Sequence, residues 1–190
     1  MNYQDVLNYW YSKPLDYHKW FTNGHEYDDE IRYKFSDLLL AAENGYLLDW
    51  LSTKDSYLAL IILLDQFSRH IYRGTKYAYQ NDKLTILLVE AGLHYLHKMN
   101  AQEKIFIVVP YQHSEDLEVQ KDGLQLLTNL IKLEDNIVEK NILKKIYFHQ
   151  LKHYEVIKKF GRFPKRNYIL GRESTEEEID YIDENTEYDY

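Results

Sequence analysis

Apolar residues recur along this chain at the three- and four-residue spacing of helix faces. The pattern is densest over residues 58–75, LALIILLDQFSRHIYRGT. Placed at about 100° per residue, the stretch from Leu58 to Leu64 points apolar side chains in every direction, which predicts burial all round. The pattern then splits. Phe67 and Ile71 stay on the face below Leu64, while Asp65, Gln66, Arg69, Tyr72 and Arg73 gather in a wedge on the opposite side. The expectation is a buried central helix over 56–73 that carries polar groups to a place where leaving them unpaired is costly.

The other segments also read as helices. One covers 4–11 and ends before Pro14, and a connector holds Trp20, Phe21 and Gly24. Asp28 is placed to cap a helix with Ile31, Phe35, Leu38, Leu39 and Ala42 on one face, which Gly45 ends. Trp50 lies in a short turn, and Thr53 or Asp55 caps the central helix. A long helix over 80–98 is expected to turn Leu84, Leu87, Leu88, Ala91 and Tyr95 inward. The β-branched run 101–109 has no second strand to pair with, so it reads as a helix halted at Pro110. Ser114 is placed to cap the next helix, to about Leu133, with Glu115 and Asp116 at its positive end. A helix over 139–160 stops at Gly161, and the loop GRFPKRNYILGR follows. Ser174 and Thr175 with Glu177 and Glu178 form a capping-box pattern that opens a last helix to about Asp183. The expected architecture is all-α: a compact multi-helix bundle in one domain over 1–184, with an acidic end fraying over 185–190.

Composition changes this picture in two places. The net charge of −8 belongs to the C-terminal segment, because nine acids and no lysine or arginine follow Arg172. The remaining body is nearly neutral and offers no footprint for duplex nucleic acid. There is no cysteine, hence no disulfide framework and no thiolate zinc site, which fits a cytoplasmic setting. The N-terminus lacks the pattern of a secretion signal, and the longest apolar run is too short to span a bilayer, so no membrane role is expected.

Candidate chemistry concentrates in two further stretches. Arg162, Lys165, Arg166 and Arg172 lie close together with no acid between Gly161 and Arg172. Guanidinium forks suit phosphate and carboxylate oxygens; the alternative is pairing with core acids such as Asp65 and with helix C-terminal carbonyls. In PYQHSED, His113 and Glu115 flank Ser114. A histidine there can donate, accept or titrate near neutral pH, although an ordinary cap needs Ser114 alone. His149 with His153, and Glu90 with His94 and His97, share helix faces, but no established metal-ligand motif appears and neither metal nor cofactor is expected.

LALIILLDQFSRHIYRGT, AYQND at 78–82, PYQHSED with Gln120, His153 before FGRFPKRN, and LGREST with Glu177 occur here in one series. This series resembles the uncharacterised family catalogued as domain of unknown function 924, over about residues 6–182. The resemblance implies an all-helical, tetratricopeptide-repeat-like fold and no established activity. It carries the family's polar positions onto Asp65, Gln66, Arg69, Arg73, His113, Ser114, Glu115, His153, Gly161, Arg162, Pro164, Arg166, Asn167, Gly171 and Arg172. Three residues depart from the pattern: Ser68 replaces proline, His70 asparagine and Lys165 histidine. A lysine at 165 would disable or retune an acid–base group but keep an anion contact.

Three functions fit these residues. The first is a domain that binds a small anionic ligand, with Arg69, Arg73, Arg162 and Arg166 as clamp and Gln66, Ser114, Lys165, Asn167 and Arg172 around it. The second is a hydrolase or transferase using His113 or His153 as general acid or base, oriented by Asp65 or Glu115. The third is an adaptor for a protein or peptide. Asp65 is expected to accept a hydrogen bond from Arg69 or from the 162–172 loop. The scattered polar residues are expected to surround one cavity, because a shared network leaves fewer groups unpaired. Oligomeric state is open.

Overall fold

The computed structural model describes residues 1–12, 20 and 24–185. All regular structure among them is helical, and the fold is an all-α bundle. The chain forms two compact units, Met1–Met99 and Asn100–Tyr190. No described helix is long and apolar enough to cross a membrane.

In the first unit, α1 (Tyr3–Trp10) starts at Asn2, whose side chain accepts the Gln4 N–H at 2.8 Å. Its buried residues are Val6 and Trp10. The Trp20 indole donates to the Trp10 carbonyl at 3.1 Å. The expectations for Pro14 and Phe21 lie outside the described residues. Helix α2 (Asp28–Glu43) buries Ile31, Phe35, Leu39 and Ala42 of the predicted face, and Leu38 is half-buried. A 3₁₀ turn, Leu48–Ser52, then seats Trp50.

Thr53 caps α3 (Lys54–Ile62) by accepting the Ser56 N–H at 3.3 Å. A π turn, Leu63–Phe67, continues it into α4 (Ser68–Ile71). Every residue from 56 to 68 is buried, as the all-round apolar pattern predicts. Helices α1 and α2 pack on this rod, and Phe67 sits 4.6 Å from the Phe35 ring centre.

The helix expected over 80–98 is instead α5 (Asp82–Gly92) followed by a 3₁₀ segment, Leu93–Lys98. Its buried side is also rotated. Thr85, Ile86, Leu88 and Val89 are buried, whereas Leu87 is 65% exposed and Ala91 is exposed. Tyr57 accounts for the register, since its hydroxyl donates to the Val89 carbonyl at 2.9 Å. Its ring also lies where a side chain on Gly92 would go: a Cβ there would fall 2.2 Å from Tyr57 Cε2. Tyr57 is fully buried and cannot yield. Gly92→Ala is therefore expected to destabilise by about 2 kcal/mol, within the range for overpacked cores. Urea unfolding reads this, and an unchanged midpoint would refute the packing argument.

In the second unit, α6 (Ala101–His113), α7 (Leu117–Leu133) and α8 (Ile137–Phe160) pack against one another. Two expectations fail here. Helix α6 runs through Pro110 to His113 instead of stopping. A proline removes one hydrogen bond inside a helix, but residues 105–112 are all buried, and their packing holds the last turn. Ser114 closes α6 and does not cap α7; Asp116 caps α7, accepting the Glu118 N–H at 2.8 Å. Gly161 ends α8 at φ 69°, a conformation that suits glycine. The loop beyond contains a 3₁₀ turn, Pro164–Arg166, and α9 (Asn167–Leu170). Thr175 and Glu178 form the predicted capping box of α10 (Glu176–Glu184).

Candidate functional site

The polar wedge of the first unit splits between two sets of partners. Leu63 to Phe67 follow the wider π winding, so side chains after them are rephased relative to a straight α-helix. Arg69 turns to α5, donating to Asp82 Oδ1 at 2.8 Å and to the Ala78 carbonyl at 3.3 Å. Its distance to Asp65 Oδ1 is 3.7 Å, an ion pair too long for the expected hydrogen bond. Asp65 Oδ2 accepts from Gln66 Nε2 at 2.5 Å. Burial disfavours the charged Arg69, but Asp82 and Asp65 outweigh it and raise its pKa.

Arg73 turns to α2. Its Nε and Nη2 donate to Asp28 at 2.6 and 3.1 Å, and His70 Nδ1 meets the same carboxylate at 2.8 Å. Asp28 makes no side-chain cap, because its oxygens serve these partners. Burial opposes its ionisation, yet the Arg73 and His70 hydrogen bonds hold its pKa below the usual value. Burial lowers the His70 pKa, with Arg73 adding to that and the Asp28 hydrogen bond opposing it. His70, expected to stand beside the wedge, is thus part of a network.

The second unit gathers the other candidates around the start of the loop after α8. Glu115 accepts both Nη atoms of Arg172, at 2.7 and 2.9 Å, and the Phe163 N–H at 2.8 Å. Burial works against its charge, but Arg172, the Phe163 amide and Arg166 together lower its pKa. Arg172 Nε donates to Asn167 Oδ1 at 2.9 Å, which ties the loop to itself. Arg162 donates to both oxygens of Glu178, at 2.6 and 2.8 Å. Asn167 Nδ2 and the Thr175 N–H also donate to Glu178. The Arg162 hydrogen bonds, against a smaller desolvation penalty, bring the Glu178 pKa to about 2. The capping pattern conceals this second task of Glu178.

Phe163 is the hinge of the remaining group. It is fully buried, with the Arg166 guanidinium 4.5 Å and the His153 ring 5.6 Å from its centre. Arg166 is 2% exposed, while Lys165 is half-buried. His153 Nδ1 lies 3.0 Å from the Gln112 carbonyl, which can only accept, so Nδ1 carries the proton. Burial first, then the charges of His113, Arg166 and His149, lower the His153 pKa to about 3. Gln120 holds the 112–114 corner by donating to the carbonyls of Gln112 and Ser114, at 2.9 and 2.7 Å. Within this unit, His113, His153, Arg166, Glu115 and Arg172 therefore belong to one neighbourhood. No group of three or more metal-binding side chains occurs among the described residues.

A family model for bacterial proteins of unknown function, DUF924, matches residues 6–186. The chain belongs to the DUF924 family. A solved structure titled as a protein of unknown function, ATU0120, from Agrobacterium tumefaciens is similar to it, with 31% identity and a TM-score of 0.81. That likeness covers 96% of this chain and 97% of the other. No curated protein matches. The fold that this DUF924 chain shares with that protein thus comes without a stated activity, and a fold by itself does not imply one.

Proposed function

We propose that this DUF924 protein binds a small anionic ligand, bearing phosphate or carboxylate, beside Phe163 in its second unit. The observation that carries this reading is the packing of the buried Arg166 guanidinium and the His153 ring on Phe163, 4.5 and 5.6 Å from its ring centre. A bound anion stabilises a buried guanidinium and favours protonation of the imidazole beside it. Arg162 and Arg172 serve as framework in this reading, since Glu178 and Glu115 engage their donors. Arg166, with His113 and His153, supplies the ligand contacts, and Lys165 lies one residue from Arg166.

A catalytic reading draws on the Gln112 carbonyl, which fixes the His153 tautomer as in acid–base sites. A pKa of about 3 nevertheless makes His153 a weak base at neutral pH. Binding is accordingly the better supported function.

The test is an NMR titration of the histidine ring signals with inorganic phosphate, and separately with acetate. A saturable change is expected, with the His153 pKa rising as anion binds. Arg166→Met and His113→Gln should each weaken the response at least about tenfold, the loss of one charged contact. Circular dichroism establishes that both variants fold. Ring signals unmoved by about 10 mM of either anion, a concentration that saturates even a millimolar site, would defeat the proposal.

A further inference from the structure

Helix α8 carries six lysines and two acids in a chain of net charge −8. Its inner side is buried through Leu143, Ile146, Gln150, Val156 and Ile157. Its outer side is exposed at Lys144, Lys145 and Lys152. Among these lysines stands Phe148, 62% exposed and one turn from Lys144 and from Lys152. Ile137 and Val138, 64% and 66% exposed, extend the apolar character toward the start of the helix. From Ile137 to Lys152 the strip is about 22 Å long at helical rise. Isolated exposed apolar residues are ordinary, but a large ring framed by lysines on one helix face is what a partner of opposite charge engages.

The same unit contains a surface of matching chemistry. The exposed positions of α10 include Glu176, Ile179, Asp180 and Asp183, one apolar side chain among three acids at helical spacing. The two helices already meet in this manner at one end, where Lys159 Nζ lies 2.9 Å from Glu177 Oε1. Within one copy, the inner side of α10 is held by the Glu178–Arg162 pair, which leaves its acidic outer side turned away.

We propose that this protein self-associates, the acidic outer face of α10 in one copy lying along the basic face of α8 in another. Ile179 packs on Phe148, and Glu176, Asp180 and Asp183 face Lys144, Lys145 and Lys152. A two-fold arrangement makes the contact twice and closes the assembly as a dimer. An anionic bilayer suits this strip less well, because Glu155 lies on α8 and the acids of α10 stand beside its end.

Sedimentation equilibrium of the full chain tests this at about 50 mM and about 500 mM sodium chloride, where charge screening differs strongly. A dimer is expected at low salt, with its dissociation constant rising at least tenfold at high salt. Phe148→Asp and the pair Lys144→Glu with Lys145→Glu should each weaken association at least tenfold. Both alter exposed side chains, so the circular dichroism spectrum should be unchanged. Mixing the lysine-reversed protein with one carrying Glu176→Lys and Asp180→Lys should restore association as a mixed dimer. A monomer at both salt concentrations overturns the proposal, and so does a dimer that neither variant weakens. A monomer that instead binds labelled polyglutamate assigns the strip to a foreign acidic partner and equally overturns self-association.

Discussion

Replacing Asp28 by alanine is expected to lower the thermal midpoint by about 6–12 °C. The substitution leaves Arg73 and His70 facing each other across an emptied space, their Nη2 and Nδ1 atoms 3.2 Å apart. Breaking a buried ion pair from one side costs about 3–5 kcal/mol. The lower figure applies here, since the Arg73 side chain is 29% exposed and water relieves part of its charge. For a chain of this size each kcal/mol shifts the midpoint by roughly 2–4 °C. Asp28→Asn should fall between wild type and alanine, because it keeps an acceptor but loses the charge. Removing the arginine as well, in Asp28→Ala with Arg73→Leu, should recover part of the loss. Thermal unfolding that shifts by less than about 2 °C in Asp28→Ala would show that this network contributes little.

Acid should destabilise the protein well before its carboxylates titrate. In the unfolded chain His153 has a pKa of about 6.5, while in the fold burial and its cationic neighbours bring it to about 3. Between those values the unfolded chain binds a proton that the folded one does not, so stability falls as pH falls. The slope from this one group is at most about 1.4 kcal/mol per pH unit, and it vanishes above pH 6.5 or so. From about pH 6.5 to about 4.5 the expected loss approaches 2.5 kcal/mol. His70 and His149, whose pKa values are also lowered, act in the same direction. The Asp28 contribution has the same sign, but its window opens only near the ordinary carboxylate value, below about pH 4. Comparing urea unfolding of wild type and His153→Gln across this range isolates the histidine. Parallel stability curves for the two proteins would remove His153 as the source.

The central helix was legible because its side chains are apolar in every direction, a pattern satisfied only by burial all round. The face of α2 and the capping box of α10 were legible for a similar reason, since local spacing alone determines them. The register of α5 was not. Leu87 and Ala91 fit an amphipathic pattern as well as Ile86 and Val89 do, and the choice rests on Tyr57, some thirty positions away. Pro110 misled because a local breaking signal was set against packing that only the folded unit supplies. In the candidate site, His113, Glu115, His153 and Arg166 came from motif positions, and the fold places all four in one unit. Asp28, His70 and Glu178 were undervalued, as each has an ordinary local explanation that hides a distant partner.

The π turn at Leu63–Phe67 bears on how such a site arises. A π turn is the trace that one extra residue leaves in an otherwise regular helix, accommodated within a single turn. Here the residues beyond it divide between two acids, Arg69 to Asp82 and Arg73 with His70 to Asp28. Their spacing relative to one another is that of an ordinary α-helix, so the π turn sets only the direction in which the whole group faces relative to the apolar residues before it. A one-codon insertion in an ancestral gene is sufficient to rephase all of them together. Re-aiming a whole polar group against the apolar part of one helix is therefore reachable in a single genetic step, with the chemistry of every other position unchanged.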